Sequence, residues 1–143
     1  MATDQNSAAI RRLIDEGFTG GNLAICDELI SPDALENQRG SKAGIEGTKD
    51  TIRILRSSFS DFELTIVDLI ASDNQVWIRC RATGVNTGNI MGRPATGRSF
   101  DITVIDVARF ADGKLVEHWG VPDQLGMLIQ LGLFGRPDAT AAA

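Results

Sequence analysis

The sequence predicts one α+β domain, in which helices come first and then pack against one face of a curved, mostly antiparallel sheet. Two observations carry this prediction. Apolar residues recur at helical spacing through the first part of the chain, and from Phe62 onward they alternate with polar residues at the period of a half-buried strand. Helices followed by strands are typical of an α+β domain. With 143 residues, 43% of them hydrophobic, the chain can bury one core.

Three helices are predicted before the sheet. The first ends at Gly20-Gly21, and Asn22 can cap a second helix that runs to about Ile30. Ser31-Pro32 ends that helix, and the polar, glycine-containing stretch 36–44 predicts a loop. The apolar stripes of the first and third helices are Ile10, Leu13, Ile14 and Phe18, and Ile45, Ile52, Leu55 and Phe59.

The strands are predicted to form two hairpins. Residues 62–66 and 76–80 alternate in polarity and are joined by a turn at 71–74. Residues 100–110 and 114–120 flank Asp112-Gly113, a favoured hairpin turn. The glycine-rich stretch 84–97 predicts a loop between the hairpins, and 123–131 predicts a last helix. We expect residues 1–143 to form a single domain, with 1–6 and 136–143 frayed.

Net charge and the distribution of apolar residues argue against a nucleic-acid partner and against a membrane-spanning helix. A net charge of −5 argues against nucleic acid, which is bound through clustered Lys and Arg, and favours an apolar small molecule. No apolar run reaches the ~20 residues of a membrane helix, and the amino terminus has no secretory pattern, which predicts a cytoplasmic protein.

Neither a metal nor a cofactor is expected. Cys26 and Cys80 have no zinc-ligand spacing and are predicted to be buried, reduced thiols. The glycines of 84–97 match no phosphate-binding loop. The chain has a single histidine and no tyrosine, so any mechanism that needs a phenol donor is excluded.

The last hairpin carries the candidate catalytic residues. A two-residue loop would place Asp106 opposite Trp119, whereas a three-residue loop, Ala111 to Gly113, would place Asp106 opposite His118. We favour the second register because it separates charge from an apolar face formed by Val104, Ala108, Phe110, Val116 and Gly120. Asp106 and His118 would then form an acid/base pair inside an apolar hollow.

Each candidate also has a purely structural interpretation. The Asp106–His118 pair could be a buried hydrogen bond that fixes the hairpin register. Asp123 could be a pocket carboxylate or the N-cap of the last helix. Asn37 and Gln38 could hydrogen-bond a substrate oxygen or be solvated loop residues. Arg79 and Arg81 share one side of their strand with Trp77, which indicates an exposed face or a subunit interface.

The second half of the chain contains six recognisable motifs: Arg81-Ala82-Thr83-Gly84, Thr87-Gly88, Gly92-Arg93-Pro94-Ala95-Thr96-Gly97-Arg98, Arg109-Phe110-Ala111-Asp112-Gly113-Lys114, Glu117-His118-Trp119-Gly120 and Gln130-Leu131-Gly132. The resemblance that these motifs carry is to the SnoaL-like polyketide cyclases of the nuclear-transport-factor-two superfamily, and it runs from about Phe62 to Leu133. It implies a cone-shaped barrel around a deep apolar pocket, assembled as a homodimer or homotetramer. It also implies an intramolecular aldol condensation without a cofactor, in which a carboxylate removes an α-proton.

Carried over residue by residue, the resemblance makes Asp106, His118 and Asp123 the candidate catalytic residues. Family cyclases have their catalytic aspartate directly after His-Trp, where this chain has Gly120, so Asp106 or Asp123 would supply the carboxylate. The residues expected to contact substrate are Asn37, Val104, Trp119 and Gly120.

Other functions of this fold stay open as alternatives. A non-catalytic binding or dimerisation module and a cofactor-independent hydroxylase both remain possible. Ketosteroid isomerases and limonene-type epoxide hydrolases have the same fold, but they use a tyrosine that this chain lacks.

Overall fold

A computed structural model describes residues 2–134 and contains four helices and five strands. Helix α1 (Ala2–Arg12) continues as a π-helical segment, Leu13–Thr19, and is followed by α2 (Ala24–Leu29), α3 (Gly44–Ser58) and α4 (Gln124–Gln130). The strands are β1 (Ile30–Glu36), β2 (Phe59–Ser72), β3 (Gln75–Asn86), β4 (Ser99–Ala111) and β5 (Lys114–Pro122).

The five strands form one sheet in the order β1-β5-β4-β3-β2. Neighbours are antiparallel, except that the edge strand β1 runs parallel to β5. Two irregularities in the β2–β3 pairing, between Ser60 and Glu63 and between Ile66 and Asp68, allow the long strands to bend. The predicted α+β class and the curved, mostly antiparallel sheet are therefore confirmed.

The core lies between the inner face of the sheet and helices α1 to α3. In β3, Val76, Ile78, Cys80 and Ala82 are buried while the residues between them are exposed, as a period of two requires. Both cysteines are free and buried, as predicted. Among residues 2–134, no helix has the length and apolar character needed to span a bilayer.

The first half of the chain differs from the prediction at β1. Residues 30–36, assigned to the end of a helix, a breaker and the start of a loop, form a strand. The strand accommodates Pro32 because β1 lies at the sheet edge, where a missing N–H leaves no ladder hydrogen bond unmade. Phe59 begins β2 and does not belong to the third helix.

The ends and the long loop differ less. Residues 2–6, expected to be frayed, belong to α1, and Asn6 is buried. The other predicted frayed segment, 136–143, lies outside the described residues. The glycine-rich loop is 87–98, because β3 extends to Asn86 and β4 begins at Ser99.

The predicted register of the last hairpin is wrong, because the turn has two residues and a β-bulge follows it in β5. Ala111 pairs with Lys114 around a two-residue turn, Asp112-Gly113, in which both residues have positive φ. One extra residue, Val116, then shifts the pairing, so that Asp106 lies opposite Gly120 and His118 lies opposite Ala108. Leu115, which pairs with Phe110, takes the inner position that had been assigned to Val116.

Candidate active site

The helices and the inner face of the sheet enclose a cavity of about 610 Å³. Its walls are mainly apolar, and their larger side chains include Ile14, Phe18, Phe62, Ile78, Phe100, Ile102 and Met127. At the end where β1 and β5 meet, Glu36, Gln38, Asp106 and His118 line the cavity. Other polar lining residues, Thr48, Thr51 and Asn89 among them, belong to α3 and the loop after β3. A large apolar cavity with a few convergent polar groups is typical of a small-molecule site.

At this end the imidazole of His118 lies between two carboxylates. His118 Nε2 is 2.8 Å from Asp106 Oδ1, and His118 Nδ1 is 2.8 and 2.9 Å from the two oxygens of Glu36. Asp106 is 8% exposed, and the Glu36 side chain is 11% exposed. The three side chains therefore form one hydrogen-bonded group that is largely removed from water.

The two carboxylates keep this imidazole protonated at neutral pH. Burial works to lower the pKa of His118, but hydrogen bonds and charge attraction from Asp106 and Glu36 outweigh it and raise the pKa to about 9. The imidazolium then donates one N–H to each carboxylate. Asp106 Oδ2 accepts no hydrogen bond from the described protein residues, so it is the oxygen available to a ligand.

Strand β1 supplies the residue that the sequence analysis missed. Glu36 is the last residue of β1 and pairs with His118 in the parallel ladder, so the two side chains lie on the same face. The backbone N–H of Gln38 donates to Glu36 Oε1 at 2.8 Å and holds that carboxylate in place. Ile30, Ala34 and Glu36 are an even number of residues apart, so in a strand they would lie on one face. This spacing indicates a common face only once residues 30–36 are assigned as a strand.

Four predicted residues lie on β4 and β5 at or near this end of the cavity. Asp106 and His118 share a face, as predicted, although they are diagonal neighbours and not directly opposed. Val104 lines the cavity, and Gly120 lies opposite Asp106 in the ladder between β4 and β5.

The other predicted residues lie elsewhere. Asp123 is exposed, and its carboxylate accepts from the Gly126 N–H at 2.9 Å, which makes it the N-cap of α4. Asn37 is exposed and donates to Glu117 Oε2 and to the His118 carbonyl. Trp119 lies on the opposite face of β5 from His118, opposite Val107. None of the three lines the cavity.

Gly120 has a steric reason to lack a side chain. A Cβ at this position would overlap Gln38 Oε1 and lie 2.8 Å from Asp106 Oδ1. The Gln38 amide therefore occupies the space that a residue 120 side chain would need. Gln38 was named as a weak candidate from the sequence, and it lines the cavity, unlike its neighbour Asn37.

The geometry favours proton-transfer chemistry over metal binding. No group of three or more potential ligands suited to a metal ion occurs among residues 2–134. The site offers a carboxylate with one open oxygen, held by a charged imidazole and facing an apolar cavity. Such a group can take a proton from a bound molecule and return it.

The fold and site together define a small acid/base enzyme with a deep apolar cavity. The model of the SnoaL-like polyketide cyclase family matches residues 8–131, so this chain belongs to the SnoaL-like polyketide cyclases. The resemblance drawn from the motifs is thereby confirmed, and a cyclase-type enzyme is favoured over a binding module.

Similar proteins include two named cyclases and a cyclase-like protein whose structure has been solved. The chain is 32% identical to aklanonic acid methyl ester cyclase DnrD of Streptomyces peucetius, a match that covers 86% of this chain and 88% of that protein. It is 28% identical to nogalonic acid methyl ester cyclase of Streptomyces nogalater, over 80% and 89% of the two chains. The structure of IdmH from Streptomyces antibioticus superposes with a TM-score of 0.79 at 34% identity, and the match covers 90% and 99% of the chains.

Proposed function

We propose that this enzyme closes a ring in a polyketide by intramolecular aldol condensation, with Asp106 as the general base. The observation that carries the proposal is the Glu36–His118–Asp106 group, which lines a mainly apolar cavity where β1 and β5 meet. The base removes a proton from a carbon next to a carbonyl group. The substrate's own carbonyl accepts the electron pair, so the proposed reaction needs no cofactor.

The proposed steps return the site to its starting state. The α-proton moves to Asp106, and the electron pair of the broken C–H bond forms an enolate. The enolate carbon attacks a second carbonyl carbon of the same molecule, a C–C bond forms, and the resulting alkoxide takes the proton back from Asp106. Throughout, the positive charge of His118 offsets the negative charge that develops on the substrate, and Glu36 fixes the orientation of the imidazole.

The proposed substrate is a polyketide ester. Relatives carry the names of cyclases for aklanonic acid methyl ester and nogalonic acid methyl ester. A mainly apolar cavity of about 610 Å³ is within the range of sites for molecules of drug size. A neutral ester also suits this site better than a free acid, because the site already holds two carboxylates.

Turnover of aklanonic acid methyl ester, followed by chromatography of the cyclised product, tests the proposal. Asp106→Asn keeps the shape of the side chain but cannot accept the proton, and we expect the rate to fall by about 10²–10⁴-fold. Asp123→Asn is the matched control, because asparagine also caps helices and position 123 lies outside the cavity. We expect Asp123→Asn to keep near wild-type turnover.

Two outcomes contradict the assignment. If Asp123→Asn loses activity and Asp106→Asn keeps it, the base is Asp123, the other carboxylate considered from the sequence. If the ester binds the wild type but is never cyclised, the chain is a binding module of this fold.

We also infer that the protein forms a homodimer through the outer face of the sheet. Two adjacent rows cross this face, Ile70-Trp77-Val107-Trp119 and Asp68-Arg79-Ile105-Val121. Ile70, Trp77 and Val121 are 70%, 53% and 69% exposed. We call these eight residues the outer patch. Large exposed apolar side chains grouped on one face are typical of a protein–protein interface, and we infer that a second copy of the same chain covers them. A cytoplasmic location and the absence of nucleic-acid partners remain predictions of the sequence.

A further inference from the structure

The side chain of Gln38 lies next to the proposed base, Asp106, and packs against the backbone of Gly120. Both Gln38 Oε1 and Asp106 Oδ1 border the space that a Cβ on Gly120 would fill. The Gln38 amide is therefore a direct neighbour of the group that would remove the proton.

The backbone of Gln38 is held on both sides. Its N–H donates to Glu36 Oε1 at 2.8 Å, and its carbonyl accepts from the Ser41 N–H at 3.2 Å. Gln38 therefore follows the position of Glu36, which itself holds His118. The side chain is thus placed relative to the whole acid/base group and not only relative to its own loop.

The amide itself is uncommitted. Among the described residues, neither its oxygen nor its nitrogen has a side-chain hydrogen-bond partner, and the side chain lines the cavity. A half-turn of the amide exchanges the positions of its oxygen and nitrogen at little steric cost, so it can present an N–H to the cavity. A polar group that reaches an apolar cavity without a protein partner is available to a ligand.

We propose that the Gln38 amide donates a hydrogen bond to the substrate carbonyl whose α-proton Asp106 removes. This inference rests on the proposed function. The carbonyl oxygen becomes an enolate oxygen, and a donor fixed at that point stabilises the charge as it develops. Gly120 is required because any side chain there would displace the amide, so the departure of Gly120 from the cyclase pattern makes room for Gln38.

Two substitutions remove this contact in independent ways. Gln38→Met keeps the length of the side chain but removes the amide, and Gly120→Ala keeps the amide but occupies its space. With aklanonic acid methyl ester as the probe, we expect each to lower kcat/KM by about 10- to 100-fold, mainly through kcat. A Cβ at position 120 would also lie 2.8 Å from Asp106 Oδ1, so Gly120→Ala should cost more than Gln38→Met. Because both variants remove the Gln38 contact, the fold-loss of the double variant should be smaller than the product of the two single losses.

Controls separate this proposal from folding defects and from the proposed function. Gln75→Met makes the same chemical change at the far hairpin and should leave turnover unchanged. The His118 pKa should stay near its wild-type value in Gln38→Met, which shows that the acid/base group is intact. In the wild type, the side-chain NH₂ resonances of Gln38 should shift when the ester is added.

Several results would overturn the proposal. Full turnover by Gln38→Met, with Asp106→Asn inactive, rejects Gln38 and leaves the proposed function standing. Additive losses in the double variant show that Gly120 and Gln38 act independently. Gln38 resonances that do not move when the ester binds reject the contact directly. If the wild type neither binds nor cyclises the ester, the proposed function fails and this inference fails with it.

Discussion

His118 connects the two carboxylates of the site, and its charge decides what each can do. Its Nδ1 faces Glu36 and its Nε2 faces Asp106, so a protonated ring satisfies both acceptors at once. Because the proton stays on the imidazole, Asp106 remains a hydrogen-bonded carboxylate with one open oxygen. The ring is therefore a fixed positive charge beside Asp106, the proposed base.

An NMR titration of this single histidine tests the arrangement. In the wild type we expect a pKa of about 9, above its ordinary value of 6.5, because two carboxylates stabilise the charged ring. Asp106→Asn and Glu36→Gln each remove one of these charges, so each should lower the pKa while burial continues to oppose protonation.

Glu117→Gln provides the control for this titration. Glu117 adjoins His118 in sequence, but it bonds Arg109 on the other face of β5, so its neutralisation should leave the pKa near 9. A His118 pKa that stays unchanged in Asp106→Asn would contradict the hydrogen-bonded group.

Strand parity predicted part of this site and could not predict the rest. Asp106 and His118 lie on neighbouring strands of one hairpin, so the alternation of apolar residues placed them on the same face. Glu36 and His118 are 82 positions apart and meet through a parallel pairing that no local pattern reports. Asn37 and Gln38 looked alike as polar loop residues, and only the end of β1 decides which of them reaches the cavity.

At the scale of elements, the long helices and strands were predictable and the irregular ones were not. Periodicity located α3 and the two hairpins, because each presents a regular apolar face. Strand β1 was missed because Ser31-Pro32 is typical of a break, and its pairing depends on tertiary position. The bulge at Val116 was missed because one extra residue leaves the local alternation almost unchanged.

Loop 87–98 depends on one buried side chain at the end of β3. Asn86 is fully buried, and its amide donates to the carbonyls of Ser58 and Gly88 and accepts from the N–H and hydroxyl of Thr96. These bonds join the loop to the end of α3. The position lies within a segment that the sequence analysis assigned to a loop, where burial was not expected.

We expect Asn86→Ala to lower the free energy of unfolding by about 2–4 kcal/mol, because several buried partners lose their hydrogen bonds at once. Thr96→Val removes the hydroxyl that donates to Asn86 and accepts from the exposed Arg98 N–H, but it keeps the Thr96 N–H bond to Asn86, and it should cost about 1 kcal/mol. Urea denaturation monitored by tryptophan fluorescence measures both values. Equal losses in the two variants would show that Asn86 does not hold the loop.

At the scale of the whole molecule, the two faces of the sheet have different roles. The inner face forms the cavity and the outer face carries the outer patch, with Trp119 on the opposite side of β5 from His118. Arg79 and Arg81 are exposed on the outer face, as predicted. There Arg79 donates to Asp68 and Arg81 donates to Asp101. The sequence predicted both faces, since alternation separates them.

The outer patch predicts a particle of twice the 15.4 kDa chain mass in analytical ultracentrifugation. Trp77→Glu places a charge at the centre of the patch and should shift the protein to the monomer. Ala8→Glu adds the same charge at an exposed position of α1 and should leave the mass unchanged. A wild type that sediments as a monomer, or a Trp77→Glu variant that stays dimeric, would contradict the proposed interface.

The parallel pairing of β1 with β5 also makes the site depend on the docking of an edge strand. β1 is bonded to the sheet only through β5, and the Asn37 N–H continues the ladder to the His118 carbonyl. Until this edge docks, the proposed base lacks the Glu36 side of its support, although the other strands can already pair by hairpin connections. Ile30 and Ala34 of the same strand also line the cavity, so a chain in which β1 is not docked lacks part of the cavity wall as well as the complete acid/base group.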